Sequence, residues 1–230
     1  MGNGEPPPPQ RPRRRGLRTG RLEAFSDGVF AIAITLLVLD IAVSADAGHD
    51  LLGAIGRLWP SYLAYVVSFS TIGAAWLAHN AITEYLEHTD TAFVRLNLVL
   101  LLLVSFLPFP TRLVADFIRE DRAERVAVTF YGIVLLLSST MLLVLWRYAV
   151  RAQLVRPDLA DEEIELLTQR LTPGLGGYLV LIVSGLFFPL VAVIGYLGIA
   201  LYYIIPFRRL SASILPRGRL KKRVRPPDPR

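Results

Sequence analysis

Long apolar segments recur along this chain, separated by short polar stretches, and their lengths suit membrane-spanning helices. The pattern predicts spans at residues 25–43, 59–78, 93–114 and 126–147. Crossing a hydrocarbon core of roughly 30 Å takes about 20 helical residues, and each of these runs comes close to that length. Alternating strand patterns are absent, so the sequence predicts an all-α integral membrane protein.

The last apolar stretch, residues 175–207, is too long for one span. As a single helix its roughly 33 residues would extend near 50 Å at about 1.5 Å per residue. We therefore expect it to break into two short helices, with Pro189 and Gly195 as the candidate break points. Two more prolines, Pro108 and Pro110, are expected to kink the third span or end it early.

The loop at residues 148–172 is polar and contains the acidic run Asp161, Glu162 and Glu163. Apolar positions between its charges favour an amphipathic helix at the surface rather than a further crossing. With the final pair counted as two spans, the sequence predicts six transmembrane helices, of which the last two are short.

Composition and charge support this plan and add an orientation. The chain is 53% hydrophobic and only 19% charged, and its net charge of +6 lies mainly at the two ends. Basic segments stay on the cytoplasmic side, so both termini are expected in the cytoplasm, which requires an even number of crossings. We predict a disordered cytoplasmic tail at residues 1–20, a six-helix transmembrane domain at 21–207, and a basic cytoplasmic tail at 208–230 that is disordered from residue 217 onward.

Other readings of the basic ends are weaker. Nucleic-acid binding would need the charges on a folded surface bearing aromatic residues, and here they flank membrane helices among prolines. The arginine cluster, the first apolar run and the tripeptide Val43-Ser44-Ala45 also resemble a signal peptide. That run is long for a signal peptide and more spans follow it, so we expect the first helix to be retained.

The chain carries few groups suited to catalysis or metal binding. It has no cysteine, and its three histidines, His49, His79 and His88, lack metal-ligand spacing. No set of nucleophile and base and no Gly-rich phosphate loop stands out. The sequence therefore predicts neither an enzyme nor a bound cofactor.

Polar side chains at membrane depth concentrate at one end of the first three predicted spans. Such groups are costly in a bilayer and often serve a function. The candidate layer comprises Arg21, Ser26, Asp27, Trp76, His79, Asn80 and Asn97. One interpretation is that it only ties three helices together. Another is a proton-coupled secondary transporter in which Asp27 and His79 titrate within the membrane.

The segment RLEAFSDGVFAIAITLLVLDI closely resembles the signature of the transmembrane protein 175 family, potassium channels of bacterial membranes and of animal endosomes and lysosomes. The family signature Arg-x-x-x-Phe-Ser-Asp is matched by Arg21, Phe25, Ser26 and Asp27. The six-span plan, the Trp76-x-x-His79-Asn80 cluster and the short final helix pair also look like the bacterial members.

This resemblance implies a homotetramer in a bacterial plasma membrane, with the first helix of each subunit lining a central pore for K⁺. It places the constricting apolar rings at Ile32, Leu36 and Leu39, with Thr35 beside them as a polar contact. It also implies modest selectivity for potassium over sodium without a carbonyl-lined filter, and the chain has no Thr-Val-Gly-Tyr-Gly run.

Spacing of i, i+4 and i+7 puts Ile32, Leu36 and Leu39 on one helical face, spread over roughly 10 Å. Periodicity alone does not select this face, because the first span is apolar all round. Packing of these three side chains against neighbouring helices is the alternative that the sequence leaves open.

Overall fold

The computed structural model describes residues 19–44, 48–120 and 122–205. The described part is all-α, with nine α-helices: α1 Thr19–Leu36, α2 Leu51–Arg57, α3 Trp59–Glu84, α4 Thr91–Phe106, α5 Pro108–Phe117, α6 Ala123–Arg151, α7 Asp161–Leu171, α8 Pro173–Gly185 and α9 Pro189–Ile204. Apart from Thr19 and Gly20, the two predicted tails lie outside these residues.

Five of the helical segments are long and apolar enough to cross a membrane, and α9 is a shorter apolar helix. The protein is thus a multi-pass membrane protein with five to six helices capable of spanning the bilayer. The first segment, Thr19–Asp40, ends in a 3₁₀ turn at Leu37–Asp40, and α4 and α5 together form the third, Thr91–Phe117. The short helix α2 was not predicted.

The boundary between α4 and α5 has the cause that the sequence indicated. Pro108 has no N–H to donate, and the backbone tightens just before it, where Leu107 N–H donates to the carbonyl oxygen of Val104 at 3.2 Å. Helical bonding resumes when Thr111 N–H donates to the Leu107 carbonyl oxygen at 3.1 Å. The two prolines thus interrupt the third span without ending it.

The final apolar stretch breaks at residues 186–188, and Pro189 then opens α9 as expected for a first helical turn. The second predicted break point, Gly195, is wrong because this residue lies inside α9. Its missing side chain serves close packing instead, since a Cβ there would collide with Leu181 of α8. The pair forms a hairpin in which α9 returns to α7, where Arg170 Nη2 donates to the Tyr203 carbonyl oxygen at 3.3 Å.

The helices pack around one hydrophobic core, with α1 against α3 and α4, α9 along α3, and α6 against α4, α5 and α8. Its largest fully buried side chains are Phe30, Leu37, Ile72, Ile82, Phe93, Leu100, Leu107, Leu135, Leu145, Trp146 and Tyr196. The polar helix expected in the 148–172 loop is α7, which buries Leu167 and Leu171 and leaves its acidic first turn exposed.

A clamp outside the spans joins the α3–α4 loop to the end of α6. Asp90 Oδ1 accepts from Phe93 N–H at 2.7 Å, capping α4, and its Oδ2 accepts from the Tyr148 hydroxyl at 2.6 Å. Partial burial raises the pKa of Asp90, but these hydrogen bonds outweigh that effect and hold the pKa below its usual value. An isolated antiparallel bridge between Leu86 and Val155 ties the same two segments. The clamp fixes where α4 begins.

The hairpin α8–α9 yields a prediction about membrane topology. Because the chain has no cysteine, a single introduced cysteine is the only thiol that can be labelled. Helices of 13 and 16 residues extend about 20 and 24 Å, which is shorter than the hydrocarbon core of roughly 30 Å. We expect Phe187→Cys at the hairpin tip to react with a membrane-impermeant maleimide from the same side as Leu52→Cys in α2, and Gln169→Cys in α7 from the opposite side. Reaction of Phe187→Cys together with Gln169→Cys would exclude two crossings.

Candidate functional site

Three helices meet through a buried chain of hydrogen bonds at the end of the bundle where α1 begins. Asn97 of α4 lies at its centre: its Nδ2 donates to Ser26 Oγ of α1 at 2.9 Å, and its Oδ1 lies 2.8 Å from His79 Nε2 of α3. Because the Asn97 carbonyl can only accept, this arrangement places the proton of the imidazole on Nε2. All three side chains are buried, and the Phe30 ring lies 5.5 Å from the His79 ring.

A second hydrogen bond lies on the flank of this chain, where Trp76 Nε1 donates to Asp27 Oδ1 at 2.9 Å. Asp27 is exposed and Trp76 is half-buried. We call these five residues, Ser26, Asp27, Trp76, His79 and Asn97, the polar network. Polar groups in a bilayer interior have neither water nor lipid to bond with, so they must find their hydrogen-bond partners within the protein.

Arg21 and Asn80 of the predicted polar layer, and Phe25 of the family signature, stand apart from the network. Arg21 and Phe25 are exposed on α1, and Arg21 makes no hydrogen bond or ion pair with another described residue. Asn80 follows His79 directly, yet it points away and is exposed. The proposed titrating pair is not directly bonded either, since His79 bonds Asn97 whereas Asp27 accepts from Trp76.

The structure selects a face of α1, which periodicity could not do. The helix buries Leu22, Ser26, Phe30 and Ala33 against α3 and α4, and Leu37 continues this stripe. Ile32, Leu36 and Leu39 lie outside it, with 60%, 42% and 71% of their surface exposed. The packing alternative therefore fails within one subunit, because none of the three is buried in the core.

The 3₁₀ turn at the end of α1 changes how these side chains line up. Residues i and i+3 eclipse in a 3₁₀ turn, so Leu39 lies nearly in line with Leu36 rather than rotated from it. Thr35 is exposed beside them, and its hydroxyl donates to the Ile32 carbonyl oxygen at 2.9 Å. Its oxygen can still accept a hydrogen bond.

Sequence reasoning missed the charged group at this end of the helix. Asp40 Oδ1 lies 4.0 Å from Arg112 Nη1 of α5, and Arg112 Nε lies 3.5 Å from Asp116 Oδ2. The signal for Asp40 was its position as the first charged residue after the apolar run. Among the described residues, no group of three or more His, Asp or Glu is arranged to hold a metal ion.

Comparison with known proteins shows which family shares this sequence and fold. A family profile described as "Endosomal/lysosomal potassium channel TMEM175" matches residues 21–108. A protein from Chamaesiphon minutus named a potassium channel is 43% identical over 166 residues, which cover 70% of this chain and 81% of that protein. The chain belongs to the TMEM175 family. The 21–108 match includes all five residues of the polar network.

Other TMEM175 relatives share a smaller part of their length with this chain. A protein from Streptomyces collinus named a potassium channel is 48% identical over 134 residues, 58% of this chain and 65% of that protein. The human endosomal/lysosomal proton channel TMEM175 is 34% identical over 142 residues, 58% of this chain and 28% of its own length. The chain thus spans less than two thirds of both relatives.

Two solved TMEM175 structures share the fold. The crystal structure of a lysosomal potassium-selective channel TMEM175 homolog from Chamaesiphon minutus matches with a TM-score of 0.73 and 37% identity, covering 81% of this chain and 96% of that one. A variant of the potassium channel MtTMEM175, solved with a nanobody fusion, matches with a TM-score of 0.57 at 20% identity, covering 89% and 99%. The second likeness concerns the fold alone.

The polar network predicts a sharp contrast between two asparagines. Asn97→Leu removes both hydrogen bonds of the central amide and strands Ser26 and His79, at about 1–3 kcal/mol for each buried partner. Asn80→Leu makes the same chemical change at an exposed position. We expect Asn97→Leu to lower the melting temperature and the yield of purified protein strongly, and Asn80→Leu to leave both near those of the parent in fluorescence-detected size exclusion. Equal behaviour of the two variants would contradict the network's role.

The same reasoning applies to Asp27. We expect Asp27→Ala to lower the yield of assembled oligomer, because the half-buried Trp76 indole N–H loses its acceptor, and a donor left without a partner costs up to about 1–3 kcal/mol. Trp76→Phe is the matched test, since it removes the N–H and keeps an aromatic ring, and the double variant should then cost less than the sum of the two single changes. A variant Asp27→Ala that assembles and conducts like the parent would argue against this contact.

Proposed function

We propose that this protein is a potassium-permeable channel of a bacterial plasma membrane, in which four copies place the exposed face of α1 around a central pore. The single observation that carries the proposal is the exposure of Ile32, Leu36 and Leu39 on a side of α1 outside its packed stripe. In a channel family such a face must contact either lipid or copies of itself.

The chemistry of that face favours contact with copies of itself. Its exposed positions include small and polar residues, Ala24, Gly28, Ala31 and Thr35, whereas the exposed positions of α9 are mostly bulky and apolar. Small residues let membrane helices approach each other closely, and a lipid-facing surface has no need of them. The face therefore suits a helix that lines a narrow space.

Apolar rings can control ions through solvation. Removing water from a cation in a low-dielectric constriction is costly, so a narrow ring of Ile32, Leu36 or Leu39 side chains dewets and blocks conduction. Potassium holds its hydration shell less tightly than sodium and loses less free energy when that shell is partly shed. A widened ring would then pass potassium with a modest preference and no fixed ligands.

The relatives named potassium channels support this assignment, and so does the potassium-selective channel whose fold this chain shares. The decisive measurement is ion flux from purified protein in liposomes under potassium and sodium gradients, followed by single-channel recording in a defined bilayer. A channel gives unitary currents. Stoichiometric proton-coupled uptake without unitary currents would instead identify a transporter.

The pore face predicts a contrast within one helix. Ile32→Asn should hydrate the constriction, raise unitary conductance and weaken discrimination between potassium and sodium. Ile34→Asn makes the same change two positions away, roughly 200° around the axis, where the side chain is half-buried against the core. It should reduce folding and assembly instead. If Ile32→Asn leaves conductance and selectivity unchanged in channels shown to be tetrameric, Ile32 does not form the constriction.

A further inference from the structure

An internal cavity lies away from the face of α1, between α3, α6, α8 and α9. Its volume is about 40 Å³, enough for about three water molecules at ~10–15 Å³ each. Five hydroxyl-bearing side chains line it, namely Thr71, Ser138, Ser139, Tyr178 and Tyr203. The rest of the lining is alanine and leucine, and no charged side chain or histidine contributes.

The hydroxyl groups around this cavity differ in the hydrogen bonds that they can still make. Ser138 Oγ already donates to the Val134 carbonyl oxygen, and Thr71 Oγ1 to the Val67 carbonyl oxygen, both at 2.8 Å. Each of these oxygens keeps only the capacity to accept. The Tyr203 hydroxyl is buried against Gly174 and donates to no acceptor, and Tyr178, which is 4% exposed, makes no hydrogen bond with another described residue. Their O–H groups remain free to donate.

A cavity that offers donors and acceptors but no charge selects for neutral hydroxyl compounds. Such a molecule donates to a serine or threonine oxygen and accepts from a tyrosine O–H, which satisfies both sides. An ion would lose its hydration without finding a counter-charge. A buried tyrosine O–H that donates to no acceptor is unfavourable, so a molecule in the cavity that accepts from it is stabilised there.

A largely apolar space, the vestibule, adjoins the cavity. A neighbouring space of about 190 Å³ shares Ala74, Ala78, Leu171 and Tyr203 with it and extends to Arg170 at the end of α7. Its other walls are aliphatic, which suits a short hydrocarbon chain. A ligand that enters this way would place its hydroxyl group among the tyrosines and its carbon chain in the vestibule.

We propose that this cavity is a binding site for a small neutral alcohol, which enters through the vestibule beside Arg170 and is held by the hydroxyls of Tyr178, Tyr203 and Ser138. The site lies on a different side of α3 from the polar network, so it is separate from the proposed ion path.

Photolabelling of the full chain in lipid nanodiscs with 3-azibutanol tests this proposal without reference to ion conduction. We expect mass spectrometry to find adducts on Tyr178 or Tyr203. When 3-azibutanol is present at a saturating concentration, a roughly tenfold excess of 1-butanol of equal affinity should lower these adducts about tenfold by mass action. The same excess of 1-chlorobutane, which has the chain but no hydroxyl group, should not. Equal protection by both compounds would refute hydroxyl recognition.

Two variants separate binding in the cavity from labelling at the lipid surface. Ala75→Leu adds a branched side chain to the cavity wall, and Tyr178→Phe removes one donor while keeping the ring. Both should abolish the butanol-sensitive adducts on Tyr203, whereas Ala92→Leu, at an exposed position of α4, should not change them. Size exclusion checks that each variant is folded. Adducts confined to exposed side chains such as Phe187, or unchanged in both cavity variants, would overturn the proposal.

Discussion

The hydrogen bonds of Asn97 are the contacts on which the arrangement of α1 depends. A bilayer offers no partner for a serine, a histidine or an amide, so these groups must meet inside the bundle. When Ser26 turns inward to reach Asn97, the rotation of α1 about its own axis is fixed. Ile32, six residues later, is then turned roughly 240° from Ser26 and lies outside the packed stripe. The polar network thus determines which apolar side chains remain unpacked.

The position of Asn97 depends in turn on contacts outside the spans. Asp90 caps α4 seven residues earlier, about 10 Å along the axis, and Tyr148 of α6 holds the same carboxylate. The bridge between Leu86 and Val155 restrains the loop that carries this cap. A sequence of bonds therefore runs from the end of α6, through the start of α4, to Ser26 of α1. The contact between Tyr148 and Asp90 fixes α4, and Asn97 of α4 then fixes α1 through Ser26.

Much of the fold follows from the sequence because lipid imposes simple rules. Apolar length located the spans, and the prolines at 108 and 189 marked real changes in the helices, since a missing N–H has the same consequence in any setting. Gly195 misled because a glycine permits either a break or close packing, and only the neighbouring Leu181 decides between them. The sequence predicted the depth in the membrane at which the polar side chains lie. It did not predict which of these side chains bond to each other, because Asn80 and His79 are adjacent in sequence but point to different sides of α3.

The two ends of α1 are held by polar contacts of very different strength. Its first turns carry the network, in which buried groups bond at 2.8 to 2.9 Å. Its last turn is a 3₁₀ segment without a side-chain cap, and there the ion pair between Asp40 and Arg112 measures 4.0 Å, with the Arg112 side chain largely exposed. Exposed pairs of this kind contribute about 0–1 kcal/mol, less than a buried hydrogen bond to a group that has no other partner. Leu36 and Leu39 lie at the end with the weak polar contact, whereas Ser26 and Asp27 lie at the end that carries the network. Leu37 lies between Leu36 and Leu39 and is fully buried, so a displacement of α1 that changes the spacing of the apolar side chains must also disturb the packing of Leu37 in the core.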